Sequence, residues 1–139
     1  MLTSPNRPPR NRTMELTANE YRQLVEQTPV MIWRSDRSKQ CDYFNHVWLD
    51  FTGRTVEQEL GDGWTEGVHP EDLARCYDIY ASSFDSRLPF EMEYRLRRHD
   101  GVYRWVRDRG VPLTDENGEF IGYIGSCIDV WSALKGSEP

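Results

Sequence analysis

The stretch Phe90–Arg97 constrains the fold most strongly, because apolar and charged residues alternate in it over eight positions. Successive side chains of a β-strand point to opposite faces, so this alternation predicts a strand with one buried and one solvated face. The pair Asp100-Gly101 signals a hairpin turn into a second strand, from Val102 to about Leu113. A turn at Asp115–Gly118 then leads into a third strand, Phe120–Val130. The last third of the chain therefore predicts three consecutive antiparallel strands.

The first ordered element is predicted to be a helix that begins at Thr17. Thr17 and Glu20 have the capping-box pattern, and Pro29 ends the helix because the residue before a proline disfavours helical geometry. Two short strands are expected next, at Val30–Ser35 and Cys41–Phe44.

Three further helices are predicted in the middle of the chain. Asn45 is a good cap for a short helix, His46–Phe51, and Thr55–Leu60 is expected to form another helical turn. The segment His69–Asp72 starts a longer helix that reaches about Phe84. Proline suits a first helical position, and acidic residues in the first turn favour the helix dipole.

Together these elements predict one α+β domain in a chain of 139 residues. A content of 37% hydrophobic and 29% charged residues is typical of a folded globular protein rather than a disordered one. We expect a flexible leader over residues 1–16, the domain over 17–131 and a tail over 132–139.

The net charge of −6 argues against a nucleic-acid partner, because phosphate binding needs a clustered basic surface. One group of arginines interleaves with Glu91, Glu93 and Asp108, which favours a solvated sheet face with cross-strand ion pairs. Its members are Arg95, Arg97, Arg98, Arg104, Arg107 and Arg109.

The cysteines Cys41, Cys76 and Cys127 are odd in number and widely separated, so neither a disulfide framework nor a metal clip is predicted. No apolar run approaches membrane-spanning length, and no signal peptide is visible. We therefore expect a protein of the reducing cytoplasm without a membrane partner. Nucleophile-elbow, phosphate-loop and dinucleotide motifs are absent, so we expect no enzyme.

Six segments follow one another in a definite order: Trp33 with Asp36, Asn45–Gly53, Trp64–Leu73, Glu93–Arg95, Asp100–Val106 and Gly118–Asp129. Each is weak alone. Their joint order and spacing over about residues 18–131 resemble the PAS domain family, in particular members with a PAC-type C-terminal half.

This resemblance implies a five-stranded antiparallel sheet with flanking helices and, between them, a pocket for a small molecule, flavin or haem. It also implies a non-catalytic sensory module that acts through ligand binding, dimer contacts or both. An effector such as a histidine kinase or cyclase, in cis or in trans, is the expected partner, beside a second copy of the chain. The last strand of the family usually ends in Asp-Ile/Val-Thr before a linker helix, whereas here it reads Asp129-Val130-Trp131. We expect either a domain excised from a larger protein or a stand-alone module that docks a partner.

No cofactor is predicted, and an unidentified small molecule is the candidate ligand. None of the cysteines lies in the sequence context of a flavin-adduct cysteine, and the helix from Pro70 lacks a histidine for haem. His69 is expected to cap that helix, and no metal site is predicted. The alternative function, a small haem- or flavin-binding redox sensor, would depend on Cys76 and Cys127 as anchors.

Alternation along the strands and the resemblance together predict the residues of the pocket. They are Trp33, Ser35, Trp48, Cys76, Met92, Tyr94, Val106, Tyr123 and Cys127. Ordinary core packing is the competing interpretation for these side chains. The Tyr94 hydroxyl needs a partner when buried, and a ligand is one candidate.

The same alternation leaves Trp105 on the outer face of the sheet, where it needs cover from a dimer partner or from the first helix. The predicted dimer or partner interface comprises Tyr21, Leu24, Trp105 and Trp131.

Overall fold

The computed structural model describes residues 15–130 of the chain. Five helices and five strands follow in order. Their bounds are α1 Ala18–Gln27, β1 Met31–Ser35, β2 Cys41–Phe44, α2 His46–Thr52, α3 Val56–Glu59, a 3₁₀ helix Gly63–Gly67, α4 Pro70–Ser86, β3 Phe90–Arg97, β4 Tyr103–Thr114 and β5 Phe120–Asp129. Every element expected within this range is present, with bounds that differ from the prediction by at most two residues.

The strands form one antiparallel sheet in the order β2-β1-β5-β4-β3. The predicted α+β fold with a five-stranded antiparallel sheet and flanking helices is therefore confirmed. The first and last strands are neighbours in the middle of the sheet, and Met31 at the start of β1 lies opposite Cys127 near the end of β5.

The helix boundaries follow from their caps. Thr17 and Glu20 form the predicted capping box at the start of α1. Asn45 caps α2, and Gly53 ends it in the left-handed conformation that glycine adopts without strain. His69 accepts a hydrogen bond from the Glu71 backbone and caps α4 as predicted, with Pro70 at the first helical position.

Asn45 also connects α1 to the sheet, a role that its sequence position did not indicate. Its side-chain amide donates to the carbonyls of Val25 and Val30, while its oxygen accepts from the backbone N–H groups of Ile32 and Trp48. The side chain is fully buried, and its donors and acceptor are all used. One residue thereby fixes the end of α1, the start of β1 and the start of α2.

The core lies between one face of the sheet, here called the inner face, and the helices α2 to α4. On the opposite, outer face, Tyr21 and Val25 of α1 border a groove with Ile32 of β1, Ile124 of β5 and other outer-face residues. None of the helices within residues 15–130 has the length and hydrophobicity needed to cross a bilayer.

Candidate functional site

A small cavity of about 20 Å³ lies between the inner face of the sheet and the helices. Aromatic side chains from six elements form most of its wall. The lining residues are Trp33, Cys41, Phe44, Trp48, Trp64, Tyr80, Phe90, Met92 and Asp108. Space for one water needs roughly 10–15 Å³ by this measure, so the cavity accommodates an occupant of one or two non-hydrogen atoms.

Trp33 reaches the centre of the site because two glycines leave room for its indole ring. Gly110 on β4 and Gly125 on β5 are partners across the two strands, and Gly125 is also the partner of Trp33. A Cβ atom at Gly125 would lie 2.2 Å from Trp33 Cε2, and one at Gly110 would lie 2.5 Å from Phe90 Cε2. Neither ring would keep its place beside an alanine. Glycine within a strand often marks such a close approach.

From that position the Trp33 Nε1–H donates to Asp108 Oδ1 at 2.8 Å. The Tyr94 hydroxyl donates to the other carboxylate oxygen, Oδ2, at 2.7 Å, and lies 3.5 Å from the Cys127 sulfur. The Tyr94 hydroxyl thus has a protein partner, Asp108. This carboxylate was not among the predicted site residues, although strand alternation puts it on the same face as Val106.

Burial raises the pKa of Asp108 to about 6, against the opposing effect of hydrogen bonds from Tyr94, Trp33 and Cys127. No ion pair within residues 15–130 involves this carboxylate. Asp108 had been grouped with the arginine ion pairs on the solvated face, and that part of the interpretation is wrong. Strand β4 turns this side chain inward, where it is 4% exposed.

Four of the six arginines in the cluster form ion pairs, namely Arg95, Arg98, Arg104 and Arg107, but not all of these pairs run across strands. Arg107 pairs with its cross-strand partner Glu93, whereas Arg95 pairs with Asp72 of α4 at 2.8 Å. Arg104 pairs with Asp129 of β5. These contacts neutralise much of the arginine cluster.

A buried ion pair holds the segment that covers the cavity. Glu59 is 1% exposed, accepts from Trp48 Nε1 at 2.7 Å and pairs with Arg54. Arg54 also donates to the carbonyls of Gln58 and Gly63 and to Glu66. The pair therefore joins α3 and the 3₁₀ helix to the wall residue Trp48. Nothing in the polar sequence of this segment indicated that Glu59 would be buried.

The predicted pocket residues are all buried, but they do not all meet the cavity. Trp33, Trp48 and Met92 line it. The others are Ser35, Cys76, Tyr94, Val106, Tyr123 and Cys127, none of which is among the residues that form the wall. Tyr123, for example, donates its hydroxyl to the Ser83 and Leu88 carbonyls. Ligand contact by these residues stays a prediction, and core packing accounts for most of them.

The predicted interface residues lie in different surroundings. The side chains of Tyr21 and Leu24 are 51% and 59% exposed. Trp105 is half-buried, with the Arg95 guanidinium 5.1 Å from its ring centroid. The groove between α1 and the outer face includes Leu113, near the end of β4. Trp105 lies near the start of the same strand, so α1 does not cover it. Trp131 lies outside the described residues, as do most of the predicted leader and the tail.

The present cavity does not fit haem or flavin, because small-molecule pockets usually enclose about 300–1,000 Å³. Cys76 and Cys127, the proposed anchors, are fully buried, and burial raises the pKa of both thiols. Thiolate ligation to a metal is therefore disfavoured. Within residues 15–130, no group of three or more His, Cys, Asp or Glu side chains is arranged to hold a metal ion.

Comparison with known proteins agrees with this architecture. The model of the PAS fold family matches residues 42–127, from β2 to near the end of β5. A PAS domain from Colwellia psychrerythraea superposes with a TM-score of 0.68 at 19% identity, covering 82% of this chain and 97% of that structure. The chain belongs to the PAS family.

Two relatives carry similar stretches within much longer proteins. An uncharacterised protein of Sinorhizobium fredii is 39% identical over 110 residues, which is 79% of this chain and 13% of that protein. The peroxide stress-activated histidine kinase mak3 of Schizosaccharomyces pombe is 31% identical over 115 residues, 80% of this chain and 5% of the kinase. A sensory signalling role is the function that such relatives support.

Proposed function

We propose that this domain is a non-catalytic sensory module in which occupancy of the inner cavity alters a contact made by the outer face of the sheet. The contact is with a second copy of the chain, and the signal passes to an effector such as a histidine kinase or cyclase, in cis or in trans. The reducing cytoplasm is its proposed location, since all three cysteines are free.

One observation carries this proposal: the cavity wall and the outer face belong to the same strands. Trp33 points inward from β1, while its sequence neighbours Ile32 and Arg34 point to the outer face. In the same way Asp108 points inward from β4, between the outward-facing Arg107 and Arg109. Because packed interiors resist continuous deformation, a shift of the inner side chains biases the register and twist of the outer face. A ligand acts in this way only through different affinities for two arrangements.

The outer surface offers apolar area for a partner. Leu24 is 59% exposed, and Ile128 at the end of β5 is 40% exposed. Val111 and Ile124, which are partners on β4 and β5, are half-buried. Exposed apolar area of this kind is typical of interaction surfaces when it is contiguous. A second copy that covers α1 and this face would remove it from water.

The test is the oligomeric state of the purified chain and of two matched variants. Leu24→Asp places a charge on the proposed interface, while Leu88→Asp places one on a leucine of nearly equal exposure, 58%, before β3. Sedimentation velocity should show a dimer for the wild type and for Leu88→Asp, and a monomer for Leu24→Asp. A monomeric wild type at high micromolar concentration would contradict the homodimer, as would a Leu24→Asp dimer of unchanged stability.

A further inference from the structure

Asp108 places a negative charge in the core without a positive partner. Its oxygens accept from the Trp33 indole and the Tyr94 hydroxyl, which are neutral groups. No lysine or arginine of the described chain forms an ion pair with it. Because its pKa is about 6, the carboxyl is mostly ionised at neutral pH. Buried charges are normally paired, so an unpaired one bordering a cavity calls for a cation.

The aromatic ring faces of the cavity wall also suit a cation, while the buried Trp64 Nε1–H has no hydrogen-bond partner within the described residues. Six aromatic rings surround the space: Trp33, Phe44, Trp48, Trp64, Tyr80 and Phe90. They meet at varied angles: Trp64 and Trp33 each stand edge-on to Tyr80, at centroid distances of 5.9 and 6.0 Å, and Trp33 stacks on Phe90 at 6.1 Å. Ring faces attract a cation within about 6 Å of their centroids, and desolvation strengthens that attraction.

The size of the cavity limits the occupant to a few atoms. A volume of about 20 Å³ leaves room for one small group, which then touches the carboxylate and several rings at once. A water molecule also fits, but it leaves the charge of Asp108 uncompensated. An ammonium group of the same size supplies both hydrogen-bond donors and the missing charge.

We propose that the inner cavity binds a small protonated amine, of ammonium or methylammonium size, with Asp108 as its counter-ion and the surrounding tryptophans as cation–π partners. This inference rests on the proposed ligand-binding function and names the chemical class of the ligand.

Methylammonium chloride is the probe, methanol its neutral isostere, and sodium chloride the control for ionic strength. The indole N–H resonances of the wild-type chain are followed by ¹H–¹⁵N NMR, because Trp33, Trp48 and Trp64 line the cavity. We expect saturable shifts with methylammonium and a dissociation constant of about 5–50 mM, since two non-hydrogen atoms limit the affinity. Methanol and sodium chloride should give no saturable shift of these resonances.

Asp108→Asn keeps the shape of the side chain and removes its charge, so the affinity for methylammonium should fall by about tenfold or more. Equal binding of methanol, or unchanged affinity in Asp108→Asn, would overturn the cation assignment and leave a neutral-ligand pocket standing. Absence of saturable methylammonium shifts in the wild type would overturn the assignment too. The Leu24→Asp test then decides the proposed homodimer independently.

Discussion

At the scale of single residues, Asp108 has the most unusual environment in the described chain. It is inward on a strand whose outer face carries arginines, and Gly110 and Gly125 admit the indole that donates to it. The titratable groups near it are Tyr94 of β3, Cys127 of β5, Cys76 of α4 and Cys41 of β2. Burial raises the pKa of each, so all four stay neutral at pH 7.

The pKa of Asp108 makes the stability of the domain depend on pH. The pKa in the folded state, about 6, lies above the usual aspartate pKa of 3.8, so the folded state holds this proton more tightly than the unfolded state. The resulting stabilisation is complete below pH 4 and is lost as the pH rises through 6, a change of about 3 kcal/mol. The stability of Asp108→Asn should lack this dependence on pH. Its free energy of unfolding should therefore rise relative to that of the wild type between pH 5 and 8.

Urea unfolding of both proteins across that pH range measures the difference, in which the contributions of all other groups cancel. Free energies of unfolding that run parallel from pH 5 to 8 would show that Asp108 does not titrate in the folded core.

Residue-level features of the site were only partly predictable. Alternation along β3 and β4 gives the inner faces, so Met92, Tyr94 and Val106 could be assigned to the core. The same pattern placed Asp108 inward, but its charge made solvent the expected environment. Only the three-dimensional arrangement brings Trp33, 75 residues away in sequence, to its oxygen.

At the scale of elements, the α3–3₁₀ segment depends on one ion pair rather than on an apolar face. Glu59 is almost completely buried, and Arg54 joins it to two backbone carbonyls. Removing one partner of a buried pair leaves an uncompensated charge. Replacing Arg54 should therefore destabilise the α3–3₁₀ segment that covers the cavity.

Arg54→Met should destabilise the domain by about 3–5 kcal/mol, because Glu59 is left buried and unpaired. Adding Glu59→Gln removes that charge and keeps an acceptor for Trp48 Nε1, so the double variant should recover more than about 1 kcal/mol. Chemical denaturation of the three proteins gives these values. Arg98→Met, which breaks the exposed pair with Asp100, is the control and should change stability little. A double variant no more stable than Arg54→Met would contradict the argument.

The elements themselves were predictable because their signals are local. Capping residues such as Thr17, Asn45 and His69, and the alternation of Phe90–Arg97, determine helix starts and strand faces within a few positions. The burial of Glu59 and the three hydrogen bonds that Asn45 makes beyond its cap depend on partners in other elements, and no local pattern encodes them.

At the scale of the whole molecule, the three cysteine thiols are buried in the same core. Cys41, Cys76 and Cys127 come from β2, α4 and β5, and each is at most 6% exposed. Burial raises the pKa of all three thiols, and Asp108 adds to the effect at each. Thiolates are the reactive form, so the folded domain should be inert towards thiol reagents.

Ellman's reagent should therefore modify the three cysteines with one common rate that rises with urea in step with global unfolding. Denatured protein, which should react at once and with all three equivalents, is the control. Rapid modification of any one cysteine in native buffer would indicate local opening of its element.

The central pairing of β1 with β5 has a consequence for how this domain is used. Met31 lies beside Cys127, so the chain enters and leaves the sheet at neighbouring points. A unit with adjacent entry and exit can be spliced into a longer polypeptide, or repeated along one, while the flanking segments barely separate. The stretches that match this chain make up 13% and 5% of the length of two long relatives, as expected for a domain that can be inserted into different proteins. A shift of the paired ends of β1 and β5 would therefore move the preceding and the following segment of the polypeptide together.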